Sequence, residues 1–499
     1  MSGGPRSGRG VVIFGGITLL GLEAVVLKTG GGFVVIGSLM VAAVAVMVLA
    51  RVRFPSAGVG SVLIAAFTLP WNGVIFGGIR PGDGFVLIAL VCFVAADVHG
   101  RLPRMPWWVN QLSLMIILIG ALHIMLPTDP LYLANRVVVA ANGQPTVQFQ
   151  TNLGVMFKFV VAVGAIPVAF CYAVHYEKRA VRWVPVAFVL GTAVSGLIAF
   201  MDGRGITHLG DSLTRNHYQL AREGGLSNHP NFLAASCILA MPIALWMAVE
   251  ADKRTRVFGV IGAICVAAGD YATGSRGGAV CLVLGAVAAF VLIPWYRTRI
   301  VNVALVVGVL AAGIFAFDPA IGAKILKATR LSGAAASDTS GSNAVRAIVG
   351  AQGVRDFKHS PLDGIGLQVA DQAQNVYLQQ LASGGILLFG ALLIYSISVL
   401  RLSAALSRHY TLGGALVATW IASTVFNYLE ADLTDRFFYV PPAIAIMLLA
   451  HFRTTEQLPD DEAFKASLEH TLAERIRHNL DSALRGRQRG AEREPSLTT

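Results

Sequence analysis

The chain has 499 residues, of which 55% are hydrophobic and only 13% are charged, and its formal net charge at pH 7 is +11. Soluble globular domains contain about a quarter charged residues, so this chain is depleted in charge roughly twofold. Together with a mean hydropathy of +0.65, this composition excludes an ordinary soluble protein. The positive charge lies mostly on arginines of short loops, and we therefore expect no nucleic-acid partner.

Apolar runs of roughly 17 to 22 residues follow one another along the chain, separated by short polar clusters. A run of about 20 apolar residues crosses a bilayer core as a helix, because lipid offers backbone groups no hydrogen-bonding partner. We therefore predict an all-α polytopic membrane domain over residues 1–452 with about 14 transmembrane helices, the first of them an uncleaved anchor. The predicted spans are 11–28, 33–50, 60–78, 84–98, 109–126, 155–175, 183–200, 231–249, 257–273, 277–296, 300–317, 375–400, 411–429 and 439–452.

Basic residues mark every second junction between the predicted spans. The positive-inside rule places such junctions in the cytoplasm, so both termini are expected to be cytoplasmic. The basic junctions contain Arg6, Arg9, Arg51, Arg53, Arg101, Arg104, Lys178, Arg179, Arg182, Lys253, Arg254, Arg256, Arg297, Arg299, Arg401 and Arg408. Three long loops, about 127–154, 201–230 and 318–374, then face outward, and the function is expected there.

Residues 453–499 are polar and form a predicted cytoplasmic tail. Within residues 459–490, apolar side chains recur at every fourth position, which is typical of one face of an amphipathic helix. The apolar positions are Phe464, Leu468, Leu472, Ile476, Leu480 and Leu484. This helix is expected to lie on the anionic inner leaflet of the membrane. Packing against the membrane domain or against a second copy of the chain fits the pattern equally well.

Neither disulfides nor a metal site are expected. The five cysteines all lie inside apolar runs, where a cysteine is usually a small buried hydrophobic residue. The outward loops contain no Asp-x-Asp pair and no cluster of histidines and acidic residues with metal-ligand spacing. We therefore predict no metal and no cofactor.

Four cations on the outward side stand in settings that suit an anion. Arg222 precedes Glu-Gly-Gly-Leu-Ser-Asn-His-Pro-Asn, in which the glycines allow a tight turn and Asn228 is suited to cap the helix that follows. Arg276 stands in the short turn Thr-Gly-Ser-Arg-Gly-Gly, where small residues let helices approach closely. Lys158 lies inside a predicted span and either snorkels outward or meets an anionic ligand. Arg346 begins a stretch with helical apolar spacing inside the long loop.

These settings share a physical logic. A helix N-terminus presents free amides and the positive end of a dipole, which favours a bound anion. An arginine held close to the bilayer favours a phosphate or carboxylate partner. For any single arginine, a solvated surface charge balanced by acidic residues is the alternative interpretation.

The order of the motifs resembles the O-antigen ligase and O-antigen polymerase superfamily of bacterial membrane glycosyltransferases. The shared features are Arg-x-x-Gly with Asn-x-Pro-Asn, then Ser-Arg-Gly-Gly, then an arginine with Pro-Leu-x-Gly-x-Gly in a long outer loop, and finally Asn-x-Tyr-Leu-Gln. They cover roughly residues 150–430. The resemblance implies a GT-C-like fold in a bacterial cytoplasmic membrane and a donor glycan linked to polyprenyl diphosphate.

The resemblance also implies roles for particular residues. Those expected to hold the lipid diphosphate are Arg222, Arg276, Arg346 and Lys158. Those expected to contact the substrate are Asn228, His229, Asn231, Asn375 and Tyr377. Preorganised arginines orient a diphosphate and stabilise the charge that develops on it as it leaves. Neither a nucleotide sugar nor a bound metal is implied, and the partners are the lipid-linked oligosaccharide, an acceptor glycan or glycolipid, and membrane lipid.

At one position the chain departs from the family pattern. The family has a histidine before the Asn-x-Tyr-Leu-Gln stretch, and that histidine is the expected base for the acceptor hydroxyl. Here Gln374 occupies the position, and an amide accepts no proton at any working pH. The base is then another residue, with Asp371, His359, His229 and His217 as candidates, or the transfer relies on positioning alone, or activity has been lost.

The leading hypothesis is the transfer or polymerisation of glycan from a polyprenyl-diphosphate donor onto an acceptor sugar at the outer face of the membrane. The first alternative is a transporter or flippase of lipid-linked glycan, which should show inverted repeats and helices broken at the membrane midplane. Neither feature is evident in the sequence. The second alternative is a catalytically inactive scaffold of a glycan-assembly machine. A peptidoglycan polymerase of similar architecture would need an essential outer aspartate, for which the sequence offers no clear counterpart.

Overall fold

The computed structural model describes residues 54–75, 80–96, 105–136, 138–139, 145–146, 151–214, 222–250, 252–297, 336–369, 375–429 and 433–454. Within these ranges the protein is helical, apart from the paired two-residue strands β1 (Val138–Val139) and β2 (Pro145–Thr146) and an isolated bridge between Val74 and Thr214. Three residues considered above, His217, Asp371 and Gln374, lie outside the described residues, as does the predicted amphipathic helix of the tail.

The α-helices are numbered here in chain order. They are α1 (Phe54–Thr68), α2 (Pro81–Ala96), α3 (Trp107–Met125), α4 (Pro130–Ala134), α5 (Asn152–Val160), α6 (Ile166–Tyr176), α7 (Ala180–Gly203), α8 (Leu209–Leu213), α9 (Pro230–Val249), α10 (Lys253–Thr273), α11 (Arg276–Leu292), α12 (Pro294–Arg297), α13 (Ala336–His359), α14 (Val376–Leu406), α15 (Thr411–Phe426) and α16 (Val440–Thr454). A π-helical turn, Val161–Ala165, joins α5 to α6, and short 3-10 helices lie at Leu367–Val369 and Arg436–Tyr439.

Among the described residues, six helices are long and apolar enough to cross a membrane: α3, the continuous helix α5–α6, α7, α9, α10 and α14. Four shorter apolar helices, α1, α2, α11 and α15, contain 15 to 17 residues. The chain is therefore an all-α membrane protein, as the sequence predicts. Every predicted span within the described residues overlaps a helix, whereas 11–28, 33–50 and 300–317 lie outside them, so the total of 14 stays a prediction.

One predicted span, 60–78, is displaced. Helix α1 ends at Thr68, two residues before Pro70, because proline supplies no amide for helical hydrogen bonding. The turn that follows carries Asn72, whose side-chain oxygen accepts a hydrogen bond from the amide of Asn228 (2.8 Å). After Thr68 the predicted span thus gives way to a turn that is bonded to a neighbouring connection.

Helix α9 forms the centre of the bundle. Sixteen of its twenty residues are buried, and it packs against α7, α10, α11 and α15. Small residues bring neighbouring helices close together: Gly196 of α7 faces Gly269 of α10, and Gly285 of α11 faces Ala422 of α15. Lipid tails are as apolar as leucine, so close packing of this kind is a main source of attraction between membrane helices.

The connections that contain the predicted motifs meet at one end of the bundle, which we call the loop side. The amide of Glu223, between α8 and α9, donates to the carbonyl of Ala272 near the end of α10 (3.1 Å). The amide of Val376, where α14 begins, donates to the carbonyl of Asn427, where α15 has ended (2.9 Å). Residues far apart in sequence are thereby held at one surface.

Helix α14 is broken at Gly385, which has φ +59° and ψ −158°. The Pro-Leu-Asp-Gly-Ile-Gly segment that precedes α14 fills the break. After the break, the amide of Ile386 donates to the carbonyl of Pro361 (2.9 Å); before it, the carbonyl of Ala382 accepts from the amide of Ile365 (2.9 Å). The backbone groups that the break releases are thus satisfied. The Pro-Leu-x-Gly-x-Gly motif therefore interlocks with the helix that begins within the Asn-x-Tyr-Leu-Gln motif.

The position of this break bears on the transporter hypothesis. The part of α14 after Gly385 runs from Ile386 to Leu406, a length of roughly 30 Å at 1.5 Å per residue, which spans the hydrocarbon core by itself. The break therefore lies towards the loop side. Transporters of the type considered above break their helices at the midplane, where substrate binds, and this break does not have that placement.

A glycine pair in α14 makes this interlock testable. Gly385→Ala is expected to cost about 1–3 kcal/mol, because only glycine readily adopts this backbone conformation, and an added Cβ would also press on the backbone of Leu362. Gly390→Ala, five residues further on and facing open space, is expected to be neutral or to stabilise the helix by up to about 1 kcal/mol. Thermal unfolding in detergent would compare the two variants, and equal unfolding midpoints would contradict the prediction.

Candidate functional site

The segment before α9 folds as a tight turn followed by a helix start. Gly225 has φ +56°, a left-handed conformation that suits glycine, and Pro230 lies in the first turn of α9. The capping residue is His229, whose Nδ1 accepts a hydrogen bond from the amide of Asn231 (3.0 Å). The cap expected at Asn228 is therefore shifted by one residue, since Asn228 is bonded to the turn after α1.

Arg222 is fixed beside the N-terminus of α9. Its Nε donates to the carbonyl of Thr273 at the end of α10 (2.7 Å), and its Nη2 donates to Oδ1 of Asn231 (2.5 Å). The stem of the side chain passes Gly274, which turns the chain with φ +58°. Because these bonds hold the partly buried guanidinium in one place, a ligand that binds there would not have to order it.

His229 carries no charge near neutral pH. Burial, and then the charges of Arg222 and Arg346, lower the pKa of its imidazole to about 4. Since Nδ1 accepts the amide hydrogen bond of Asn231, the proton of the neutral ring is assigned to Nε2. His229 is therefore suited to donate a hydrogen bond to a ligand and poorly suited to accept a proton. The effect of Arg346 on this pKa also places that arginine within electrostatic reach of His229.

The low pKa of His229 has a consequence for stability. The unfolded chain takes up a proton on this residue below about pH 6.5, whereas the folded chain does so only near pH 4. Stability should therefore fall as the pH falls through this window. The variant His229→Asn keeps a capping oxygen but cannot titrate, so it should lose less stability between pH 7 and pH 5. Thermal unfolding at both pH values checks this, and an identical loss in both proteins would refute it.

Arg276 is the first residue of α11. Ser275 caps the helix by accepting a hydrogen bond from a backbone amide of the first turn (3.1 Å). Among the described residues, Arg276 is partly buried and makes no hydrogen bond or ion pair. Arg222 donates a hydrogen bond to the carbonyl of Thr273, which lies three residues before Arg276 in the chain. The two arginines therefore lie at the same short turn.

The helix predicted around Arg346 is α13, and a buried ion pair anchors it. Arg136 donates through Nε and Nη2 to the two carboxylate oxygens of Asp356 (3.0 and 2.5 Å), and the side chains are 3% and 0% exposed. Tyr132 and Gln352 also donate to this carboxylate, at 3.0 and 2.8 Å. The network fixes α13 to the connection after α4, and with it the exposed Arg346.

Asn375 and Tyr377 join α14 to α15. Asn375 caps α14, where its Oδ1 accepts from the amide of Leu378 (3.1 Å) and its Nδ2 donates to the carbonyl of Tyr428 (3.2 Å). The hydroxyl of Tyr377 donates to the carbonyl of Thr424 (2.7 Å). A ligand would therefore compete with existing bonds at both residues, and their predicted role in substrate binding stays a prediction.

The remaining predicted residues lie on α13 and α5. His359 ends α13, is exposed, and stacks its ring on Tyr132 with 3.8 Å between ring centroids. Lys158 lies in the last turn of α5, partly buried and directly before the π-helical turn. Such turns are frequent at functional sites, but here Pro167, which lacks an amide, also disturbs the regular helical hydrogen bonding close to this turn.

A groove of about 390 Å³ runs between α14 and α15. Its walls are mainly apolar, and Gln380 and Asn427 lie towards its loop-side end. Leu429, two residues after Asn427, packs against Gly277, the residue that follows Arg276. The loop-side end of the groove is therefore a neighbour of the turn that holds the two arginines.

Two acidic residues near the arginines, Asp270 and Glu223, were not predicted from the sequence motifs. Asp270 is 5% exposed, and one of its carboxylate oxygens has no hydrogen-bond partner among the described residues. An acidic residue inside an apolar run is itself a signal, because lipid penalises charge. Glu223 directly follows Arg222 and has a partly buried side chain. Its sequence context alone does not distinguish it from a solvated surface acid.

Comparisons with known proteins complete the description of the site. The chain matches no protein-family model, and a comparison with curated proteins finds no match. Among the described residues, no group of three or more His, Cys, Asp or Glu side chains is arranged to hold a metal ion. The family resemblance therefore rests on the sequence motifs alone and stays a prediction.

Proposed function

We propose that the protein is a glycosyltransferase that moves or polymerises glycan from a polyprenyl-diphosphate donor onto an acceptor sugar. The observation that carries this proposal is the pair of arginines at the turn between α10 and α11. Arg222 is fixed by hydrogen bonds to Thr273 and Asn231, whereas the guanidinium of Arg276 makes no hydrogen bond or ion pair within the described ranges. Arg346 adds a third positive charge within reach of His229. Arginines beside two helix N-termini suit the two phosphates of a lipid diphosphate.

The chemistry follows from where the charges lie. An acceptor hydroxyl attacks the anomeric carbon and forms a new C–O bond, while the bond to the diphosphate oxygen breaks and its electrons leave with the diphosphate. Arg222 and Arg276 stabilise this developing negative charge without rearrangement, which is an efficient form of electrostatic catalysis. The Nε2–H group of His229 supplies a further donor, and Asn231 keeps Arg222 in position.

The lipid part of the donor is assigned to the groove between α14 and α15. A long apolar groove whose polar end neighbours cations is complementary to an amphiphile with an anionic head and a single long tail. We assign its occupant as the isoprenoid chain of the donor. Since the chain leaves lipid rather than water to enter the groove, packing and not the hydrophobic effect provides selectivity.

The charges of the loops support an orientation of the protein in which the loop side faces outward. The basic residues Arg182 and Lys253 stand where α7 and α10 begin, at the end of the bundle opposite the loop side, and Arg182 pairs there with Asp252 (2.8 Å). By the positive-inside rule this end is cytoplasmic and the loop side is outward. The proposal thus includes a GT-C-like enzyme of a bacterial cytoplasmic membrane with both termini inside and with no cofactor.

The decisive experiment reconstitutes the purified protein in vesicles with labelled polyprenyl-diphosphate glycan, extracted from the cells that produce the protein, and with acceptor glycan. Label should move onto the acceptor. If label crosses the bilayer but never joins the acceptor, the protein is a flippase and the proposal is wrong. If label neither crosses nor transfers while the protein still binds the donor, the protein is an inactive scaffold.

Two serines of α14 test the assignment of the groove. Ser396 lines the groove, and Ser398, two residues further on, does not. Ser396→Trp should fill the groove and weaken binding of farnesyl diphosphate about tenfold, or about 1.4 kcal/mol, without affecting inorganic pyrophosphate. Ser398→Trp should leave both affinities unchanged. If both variants lose farnesyl diphosphate binding equally, the tail does not lie in this groove.

A further inference from the structure

The proposed transfer needs a group that accepts the proton of the attacking hydroxyl. Gln374 cannot accept it, and the neutral ring of His229 has its proton on Nε2 and its Nδ1 engaged in a backbone hydrogen bond. A candidate must lie beside the arginines, have a free lone pair, and be more basic than an ordinary surface carboxylate. Glu223 combines these properties.

The position of Glu223 is fixed through the backbone. Its amide donates to the carbonyl of Ala272 (3.1 Å), and the preceding Arg222 donates to the carbonyl of Thr273 (2.7 Å). Residues 222 and 223 therefore run along the end of α10. Arg222 and Glu223 line the same small cavity, which has a volume of about 10 Å³, enough for one water molecule. The backbone of Glu223 is thus held at the edge of the proposed diphosphate site, and its side chain lies against Gly203 at the end of α7.

No group of the described residues occupies the lone pairs of the Glu223 carboxylate. It makes no hydrogen bond or ion pair with the described residues, although its side chain is partly buried. The nearby Asp202 differs, because its two oxygens accept hydrogen bonds from the hydroxyl of Thr207 (2.5 Å) and from the amides of Leu209 (3.1 Å) and Gly210 (2.7 Å). Asp202 is therefore committed to folding the loop, and Glu223 is available for chemistry.

The surroundings of Glu223 make it more basic than a surface carboxylate. Burial, followed by the negative charges of Asp211 and Asp202, raises the pKa of Glu223, while the charge of His208 lowers it to a smaller extent. A raised pKa strengthens proton transfer from an alcohol, as long as the group stays ionised at the working pH. This effect agrees with the geometry but would not identify the residue by itself.

We propose that Glu223 is the general base of the transfer, acting on the acceptor hydroxyl directly or through one water molecule in the cavity beside Arg222. As the acceptor oxygen bonds to the anomeric carbon, its proton moves to a carboxylate oxygen of Glu223. The electron pair of the broken C–O bond leaves with the diphosphate, so no oxidant, metal or further reactant is needed. The inference rests on the proposed transferase function.

The test combines isosteric and shortened variants with two readouts, the rate of glycan transfer in vesicles and the binding of farnesyl diphosphate. Glu223→Gln should lower the transfer rate by about 10²–10⁴-fold, the usual contribution of a general base, with farnesyl diphosphate binding unchanged. Glu223→Ala should be equally slow and should regain part of its activity in formate, which supplies a replacement carboxylate. A residue with a structural role only would show no rescue by formate.

A second arm uses the neighbouring acid. Asp211→Asn removes a negative charge that raises the pKa of Glu223, so the acidic limb of the pH–rate profile should move to lower pH, with activity retained at pH 7.5. A Glu223→Gln variant with full activity, or an unmoved acidic limb in Asp211→Asn, would overturn the assignment and leave the transferase proposal standing. Absence of transfer by the wild-type protein would overturn the proposed function instead.

Discussion

Arg276→Ala is expected to lower the rate of glycan transfer by about 10²–10³-fold, the usual effect of removing one group that stabilises developing charge. The unfolding temperature should stay the same, because Arg276 makes no hydrogen bond or ion pair among the described residues. Arg276→Lys should recover only a small part of the rate, since an ammonium lacks the planar pair of donors that fits a phosphate. Transfer assays in vesicles, with thermal unfolding in parallel, give both readouts.

The matched control for Arg276 is Arg355, an exposed arginine of α13 on the loop side that donates only to Gln352 (3.2 and 2.6 Å). Arg355→Ala removes the same charge from the loop-side surface, so its transfer rate should stay within about twofold of the wild type. If both variants lose activity equally, a diffuse positive field attracts the donor and the proposed clamp is wrong. If neither loses activity, Arg276 does not bind the diphosphate.

The largest effect on stability is expected at Asp356. Asp356→Ala should lower the free energy of unfolding by about 3–5 kcal/mol, because it leaves the charge of Arg136 buried and uncompensated. The hydrogen bonds from Tyr132 and Gln352 are lost at the same time. Chemical unfolding in bicelles would measure the loss. Transfer should slow as well, since α13 holds Arg346 in place.

Two further variants distinguish the contribution of charge to stability from the contribution of helix packing. In the double variant Arg136→Met with Asp356→Leu, no buried charge is left unpaired, so most of the stability should return. Asp129→Asn removes only a charge at an exposed helix cap of the same connection, where the side chain accepts from the amide of Leu131 (2.9 Å), and should cost about 1 kcal/mol or less. A double variant as unstable as Asp356→Ala would show that the packing of α13, and not charge, dominates.

Hydropathy was sufficient to predict the positions of the helices because helix formation in lipid depends on interactions within each apolar run. Lipid forces every backbone group in a span to bond within its own helix, so an apolar run of the right length is enough to predict one. The described helices overlap the predicted spans even where the signal is weak, as at Pro81–Ala96 and Val440–Thr454. Span 60–78 overlaps α1 only as far as Thr68, because the run there includes Pro70 and Asn72, which belong to a turn.

The candidate site was predictable only in part. The positions of Arg222 and Arg276 beside helix starts follow from glycine, proline and serine in the neighbouring sequence, which set local turns and caps. The neighbouring sequence does not predict which of the two arginines forms hydrogen bonds. Arg222 is bound to Asn231 and Thr273, whereas Arg276 is uncommitted among the described residues, and this depends on which connections meet at the loop side.

The sequence by itself therefore determined that this is a helical membrane protein and where its charged motifs fall, because helix formation in lipid is decided within each apolar run. Only the tertiary structure decided which polar groups pair. It interlocked the break at Gly385 with the segment that precedes α14 and placed the cap of α9 at His229. Among the residues that the structure describes, it left the carboxylate of Glu223 without a hydrogen bond. The physical reason is that a hydrogen bond or ion pair between distant residues depends on how the helices pack, and no local pattern records that packing.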